Sequence, residues 1–185
     1  MLAITVVVVA AVSGAYLLTA DRIRSNEMLF LKRAVLKAAG LAVPAEAAAV
    51  EAMYSARVRD AGVADRFEIL AEQDGVVTGT VLRQSGMGLW GAIRAVVGFD
   101  AGGGRLTGIE FLEQSETPGL GARIEEPWFK EQFKGKKGPL DLVPEGAQDG
   151  ENQFDAITGA TITSKGVRDL VNACVKRQAA DSNAR

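Results

Sequence analysis

The first 20 residues contain no charged side chain, and this feature limits the fold of the chain more than any other. Leu2 to Val12 are apolar almost without interruption. About 20 such residues in a helix, each rising ~1.5 Å, span the hydrocarbon core of a bilayer. No basic region precedes the apolar run, and Leu18-Thr-Ala20 is a poor small-x-small cleavage site. We therefore interpret residues 1–20 as a retained transmembrane anchor rather than a cleaved signal peptide.

The basic residues around the anchor predict its orientation. Only the terminal amine precedes the apolar run, whereas Arg22, Arg24, Lys32 and Arg33 follow it. Basic residues are enriched on the cytoplasmic side of membrane spans. Taken alone, this pattern predicts that the part of the chain after the anchor is cytoplasmic.

The composition excludes several kinds of functional site. The 185 residues include one cysteine, Cys174, and no histidine. Intrachain disulfides, Cys/His zinc sites, haem with a histidine ligand and imidazole-based catalytic groups are therefore excluded, and we predict neither catalytic residues nor a metal site. A formal net charge of -2 gives no basic field, so we expect no nucleic-acid partner. Any redox role would need a cofactor such as a flavin, which requires no Cys or His ligand.

Two helices are predicted after the anchor, before the pattern changes to strands. Residues 22–39 place apolar side chains at helical spacing, which predicts an amphipathic helix that continues the anchor. The segment from Glu46 to Arg59 is rich in strong helix formers. We expect these helices to form a stem over residues 21–60 and the remaining residues 61–185 to form one domain.

Two hairpins are predicted in the first half of this domain. The first turn is Gln73-Asp74-Gly75, in which Asp-Gly is a hairpin signal, and the second is the glycine-rich segment 100–104. Four strands joined in this way predict an antiparallel sheet. The strand segments are Arg66–Ala71, Val76–Leu82, Ile93–Phe99 and Arg105–Leu112.

The rest of the domain is expected to be loops and helices. Gly86–Gly91 is too rich in glycine for a strand. Pro127–Phe133 predicts a short helix, and residues 134–150 a polar connection. The chain closes with a helix whose apolar stripe includes Cys174, which we interpret as a core residue rather than a reactive thiol. The predicted fold is α+β, with an N-terminal transmembrane helix and helical stem, an antiparallel sheet built from hairpins, and a C-terminal helix packed on it.

Three segments carry candidate binding residues. Thr158-Gly-Ala-Thr161-Ile-Thr-Ser-Lys165 lies at the start of the final helix, where unpaired N–H groups favour a phosphate, although an ordinary helix cap is the alternative. Glu116-Thr-Pro-Gly-Leu-Gly121 has glycines that let backbone approach a flat ligand, although a strand-to-helix turn is the alternative. Gly88-Leu-Trp-Gly91 offers an indole for stacking, and a buried core tryptophan is the alternative.

In this order, together with the anchor and Asp155-x-x-Thr-Gly-Ala-Thr161, these segments resemble one family. It is the FMN-binding domain shared by the G subunit of the Rnf electron-transport complex and the C subunit of the Na⁺-translocating NADH:quinone reductase. In that family a flavin transferase moves FMN from FAD onto the last threonine of the S/T-G-A-T motif and leaves a phosphoester. The resemblance implies covalent FMN on Thr161, with Thr163 as the weaker candidate. The resemblance further implies that Asp155 and Thr158 belong to the transferase recognition sequence and that Gly159 and Ala160 leave room for the phosphate. The residues implied along the isoalloxazine are Glu116, Thr117, Leu120 and Gly121, with Trp90 nearby. Lys136 is implied as a source of positive charge.

The resemblance also implies a function. The tethered FMN would relay electrons between carriers, so the expected partners are the membrane, the flavin transferase and the other subunits of a membrane electron-transport complex, and the chain alone would not be catalytic. The short length favours the Rnf protein, whereas Gly88–Gly91 favours the quinone reductase protein. Further alternatives are a stand-alone flavoenzyme, another membrane reductase with an FMN domain, and a structural subunit without cofactor. The family places this domain on the outer, periplasmic side of the inner (cell) membrane, and we follow the resemblance over the basic-residue pattern.

Overall fold

The computed structural model describes residues 2–72 and 74–183. Met1 of the predicted anchor and Gln73 of the first predicted turn therefore lie outside the described residues. The helices are α1 (Leu2–Ala38), α2 (Ala47–Arg57), α3 (Pro127–Glu131) and α4 (Thr161–Asn183), with a 3₁₀ turn at Gly121–Glu125. The strands are β1 (Val58–Asp60), β2 (Arg66–Leu70), β3 (Val77–Met87), β4 (Ala92–Asp100), β5 (Leu106–Glu113), β6 (Asp141–Val143) and β7 (Gln153–Asp155).

The α1 helix runs without interruption from the apolar N-terminal stretch to the domain. Its segment Ile4–Ala38 is long and apolar enough to cross a membrane, and its most apolar part is not buried by the rest of the chain. This part includes the run Val6-Val-Val-Val9, whose β-branched side chains have low helix propensity in water. A bilayer favours a helix here because every backbone N–H and C=O must be bonded within the segment. The helix is therefore a candidate membrane anchor.

The domain is built on a five-stranded antiparallel sheet with the order β1-β2-β3-β4-β5. Both predicted hairpins are present, as the pairs β2–β3 and β4–β5, and β3 pairs with β4 between them. The predicted α+β fold, with its antiparallel sheet and closing helix, is confirmed. The second helix was predicted to end at Arg59, and this boundary was wrong because the edge strand β1 occupies the end of that segment. The helix ends at Arg57 because Val58 pairs with Ile69 of β2.

Two other local predictions were wrong in part. Gly86 and Met87 were assigned to a loop but extend β3, paired with Ile93 and Ala92 of β4. Gly86 fits because the α4 side chain Leu170 packs against it, so that a Cβ there would lie 3.0 Å from the Cβ of Leu170. The predicted polar connection over residues 134–150 contains β6, which pairs in parallel with β7. The rest of the glycine-rich segment connects β3 to β4.

The two faces of the sheet are covered by different helices. The α4 helix and several aromatic side chains cover one face of the sheet. Their hydrophobic cluster includes Leu82 and Phe111 of the sheet and Leu170 of α4. Cys174 is fully buried in this cluster, and burial raises the pKa of its thiol to about 12. The interpretation of Cys174 as a core residue is therefore confirmed. The opposite face packs against α2 and the last turns of α1, with these buried residues: Ala34, Val35, Leu36, Ala38, Val50, Val81 and Val96.

Candidate functional site

The first turn of α4 presents Thr161 to solvent. Thr161 is the first residue of the helix and is exposed, and the N–H of Ser164 donates to the carbonyl of Ala160 at 3.0 Å. The N–H groups of residues 161–163 therefore precede the intrahelical hydrogen bonds of α4. These groups, together with the positive end of the helix dipole, stabilise an anion next to the Thr161 hydroxyl.

A tight turn over residues 157–160 fixes the position of that hydroxyl. Gly159 has a φ of 81°, which a residue without a side chain adopts freely. The Ile157 N–H donates to Ser164 Oγ at 3.0 Å, and the Ser164 hydroxyl donates to the Ala160 carbonyl at 3.1 Å. Because Ile157 and Ser164 are fully buried, this connection ties the turn to the core below Thr161.

Glu116 connects all three segments that the sequence analysis selected. Its carboxylate is buried, with the residue 6% exposed. Oε1 accepts the Trp90 N–H at 3.0 Å, and Oε2 accepts the hydroxyl of Thr163. Thr163 is itself 1% exposed, so its hydroxyl is both buried and engaged, whereas Thr161 is an exposed residue. The two candidate threonines therefore differ sharply in their access to a phosphate.

Two motif glycines make room for the Glu116 carboxylate. A Cβ at Gly121 would lie 2.6 Å from Glu116 Oε2, and a Cβ at Gly88 would overlap Oε1. Sequence reasoning assigned Gly121 to the close approach of a flat ligand and Gly88 to the backbone beside a stacking indole. The structure shows that both are required by the packing of Glu116.

Exposed apolar side chains form a rim beside Thr161. Trp90, Leu120 and Ile162 are 69%, 43% and 57% exposed, and Leu120 adjoins Gly159, whose Cβ position lies 3.1 Å from Leu120 Cδ2. The alternative that Trp90 is a buried core residue is therefore wrong. Thr117 is also exposed, in the same turn as Leu120. Such surface suits the face of an aromatic ring.

A cleft of about 410 Å³ adjoins Thr161. The end of β6 and the residue after it form one wall, with Leu142, Val143 and Pro144 as apolar groups. Lys165 and Arg168, one and two turns further along α4, supply positive charge, and the Arg168 guanidinium also pairs with Asp169 at 2.7 Å. The lining also includes Glu145, Ala156, Ile157, Thr158 and Gly159.

Glu145 reaches from the wall of this cleft to the turn. Its Oε2 accepts the Thr158 N–H at 2.9 Å. Hydrogen bonds from the hydroxyl and the N–H of Thr158 hold the pKa of the Glu145 carboxyl below its usual range, and the Arg123 guanidinium adds to this effect. Sequence reasoning missed Glu145, because 13 residues separate it from Thr158 in a polar connection. It also missed Lys165 and Arg168 as site residues, although their helical spacing from Thr161 was visible in the sequence.

Lys136 and Asp155 make contacts of another kind. The Lys136 ammonium donates to the Gly150 carbonyl at 3.1 Å, and Lys136 is not part of the cleft lining. Asp155 Oδ1 accepts the Gln148 N–H at 3.0 Å. These bonds support the loop between β6 and β7.

A larger groove of about 860 Å³ lies between α1 and the sheet. Its lining includes Arg83 and Asp65, which form an ion pair at 2.5 Å, and Arg94 and Glu113, which form another at 2.7 Å. Charged side chains of this groove pair with one another, whereas the cleft at Thr161 combines Lys165 with the N–H groups of the first turn of α4, so the cleft is the better candidate for an anionic ligand.

The fold and the site define a class of domain that displays a threonine at a helix start, between an apolar rim and a cleft that contains Lys165 and Arg168. Residues 88–176 match the family model described as the FMN-binding domain. This match contains all three candidate segments and Thr161. It confirms the resemblance seen in the sequence: this part of the chain is similar to the FMN-binding domain.

Curated proteins similar to the chain are the C subunits of Na⁺-translocating NADH-quinone reductases. The protein of Neisseria meningitidis serogroup A is 41% identical over 103 residues, which cover 52% of this chain and 40% of that protein. The protein of Pasteurella multocida is 38% identical over 134 residues, which cover 67% of this chain and 51% of that protein. The chain thus matches about half of the length of these relatives.

Solved structures agree with this assignment of the fold. NqrC of Shewanella oneidensis has a TM-score of 0.69 at 22% identity, covering 77% of this chain and 88% of that one. The corresponding reductase protein from Parabacteroides distasonis, also a C subunit, has a TM-score of 0.68 at 26% identity, covering 81% and 89%.

Proposed function

We propose that the chain is an electron-transfer subunit of a Na⁺-translocating NADH-quinone reductase, of the NqrC type, with FMN attached through a phosphoester to Thr161. The observation that carries this proposal is the exposed position of Thr161 at the start of α4, beside the buried and engaged hydroxyls of Thr163 and Ser164. The family match supports FMN as the cofactor, and the names of the curated relatives support a Na⁺-translocating NADH-quinone reductase as the complex.

The residues around Thr161 fit FMN in two respects. The N–H groups of the first turn and the side chain of Lys165 would hold the charge of the phosphoester. The exposed rim of Trp90, Leu120 and Ile162 offers an apolar surface to an isoalloxazine. Glu116 would hold the Trp90 loop and the start of α4 together beneath the cofactor.

The attachment reaction is a phosphoryl transfer that a flavin transferase would catalyse. The Thr161 oxygen attacks the FAD phosphorus that carries the riboflavin part, the pyrophosphate bond breaks, AMP leaves, and the hydroxyl proton passes to a base of the transferase. Bound FMN supplies one-electron transfer, which the side chains of this chain do not provide. The chain contributes the tether, the surroundings of the ring and the membrane anchor, and its electron donor and acceptor belong to other subunits of the complex.

Intact-mass measurement tests the attachment. The full chain, coexpressed with a flavin transferase, is expected to gain the mass of one FMN less one water. Thr161→Ala should abolish the gain, and Thr163→Ala should retain it, because the Thr163 hydroxyl is buried against Glu116. A gain that persists in Thr161→Ala would contradict the proposed site.

The same proposal places the domain on the outer, periplasmic side of the inner membrane, where the family's transferase works. Protease added to intact spheroplasts should therefore degrade the domain. Degradation only after lysis would instead support the cytoplasmic placement that Arg22, Arg24, Lys32 and Arg33 predict.

An Rnf-type complex is the second candidate, since the sequence resemblance covers its G subunit as well. Affinity purification of the chain from solubilised native membranes distinguishes the two. Recovery of NADH-quinone reductase subunits would support the first assignment, and recovery of Rnf subunits the second.

A further inference from the structure

We propose that Glu145 is a positioning residue for flavin attachment, which holds the Thr158-Gly159 turn so that the Thr161 hydroxyl faces the incoming phosphate. This inference rests on the proposed function of Thr161. Glu145 lies outside the segments that carry the family resemblance, in the connection between β6 and β7. Its role follows from its contacts.

The backbone brings Glu145 to the turn through the parallel pair β6–β7. Val143 pairs with Asp155, and the Ala156 N–H donates to the Val143 carbonyl at 2.8 Å. This ladder ends at Val143, two residues before Glu145, on one strand and at Ala156, directly before the turn, on the other. The Glu145 side chain can therefore span the short gap to Thr158.

The carboxylate of Glu145 is held from both sides. Oε2 accepts the Thr158 N–H at 2.9 Å, and Oε1 lies 3.9 Å from Arg123 Nη2. The Arg123 guanidinium is in turn stacked over the Trp128 ring, 5.2 Å from its centroid. A carboxylate fixed by a cation and by the turn restricts the turn more than a freely rotating side chain would.

The turn thus has two tethers that differ in depth. Ser164 ties Ile157 to the buried core, whereas Glu145 ties Thr158 at the surface, with its side chain 36% exposed. Loss of the surface tether should leave the fold intact but allow the Gly159 turn to move. A phosphoryl transfer needs its oxygen held in a narrow attack geometry, so such movement should slow attachment.

The Glu145 variants are best tested in the full chain with purified flavin transferase and FAD, by following the initial rate of mass gain. Glu145→Ala should slow attachment about tenfold and Glu145→Gln about threefold, because the amide oxygen still accepts the Thr158 N–H but the charge is lost. Glu151→Gln is the matched control, since it removes an exposed carboxylate whose partner is Arg105. Its rate should equal that of the unchanged chain.

Amide hydrogen exchange supplies the readout that separates positioning of the turn from a contact with the transferase. In the chain alone, exchange at Thr158 should be faster in Glu145→Ala than in Glu151→Gln, while exchange in the core of α4 stays the same. Unchanged exchange at Thr158, or equal rates of attachment in Glu145→Ala and the unchanged chain, would overturn the role of Glu145 and leave Thr161 as the attachment site. Failure of the unchanged chain to gain mass would overturn both.

Discussion

The two faces of the five-stranded sheet are packed in different ways. On the anchor face, the end of α1 lies so close to the sheet that the Ala38 carbonyl occupies the space of a Cβ at Gly98, and the Thr107 hydroxyl donates to that carbonyl at 2.6 Å. On the site face, α4 is joined to loops from distant parts of the chain by polar side chains, chiefly Glu116 and Ser164.

This difference separates two tasks. The anchor face fixes the domain to the candidate membrane helix through close backbone packing. The site face fixes the position of one hydroxyl through buried hydrogen bonds. Changes on the anchor face should therefore alter stability without altering flavin attachment, whereas changes to the polar bridges of the site face should alter both.

Gly98→Ala should have the largest effect on stability. The added Cβ would overlap the Ala38 carbonyl and Thr107 Oγ1, so α1 must shift from the sheet. We expect a loss of about 3 kcal/mol in the free energy of unfolding, measured by urea denaturation. Gly104→Ala is the control, because a Cβ there meets no atom within 4 Å. Equal stability of the two variants would show that the end of α1 does not rest on this part of the sheet.

Glu116→Ala should lower the free energy of unfolding by about 2 kcal/mol, because it leaves the buried Thr163 hydroxyl without its acceptor. Flavin attachment should slow in the same variant, since the Trp90 loop and the α4 start are no longer joined. Glu116→Gln retains an acceptor and should be milder on both measures. A fully stable Glu116→Ala variant with a normal rate of attachment would refute the bridging role.

Thr107→Val should have the smallest effect. It removes the hydrogen bond to the Ala38 carbonyl at nearly constant volume, and we expect a loss of about 1 kcal/mol in urea denaturation. The rate of flavin attachment should stay unchanged, because Thr107 lies on the anchor side of the molecule. A slowed attachment would mean that the two faces are coupled.

Local signals were sufficient to predict most of the fold. The apolar run of α1, the hairpins and the apolar stripe of α4 each depend on neighbours in the sequence, and all are present. The short strands β1 and β6 were missed because three-residue strands carry little periodicity and depend on their partners. The pairing of Leu142 with Phe154 is a tertiary contact that no local pattern encodes.

The site was predictable only in part, for a similar reason. The motif around Thr161 is contiguous, so its location at a helix start could be predicted. Glu116 was selected as a residue along the ring, but its contacts to Trp90 and Thr163 cross 26 and 47 residues of sequence. Its burial, and the need for Gly88 and Gly121 beside it, emerge only when these segments are brought together.

Fragmentation of the tryptic peptide 138–165 by mass spectrometry shows which hydroxyl carries the flavin. After coexpression with the transferase, this peptide contains the four hydroxyls of the segment, on Thr158, Thr161, Thr163 and Ser164. We expect the added FMN mass to lie on Thr161 alone and to survive denaturation of the protein. FMN on another of these hydroxyls, or flavin released on unfolding, would contradict it.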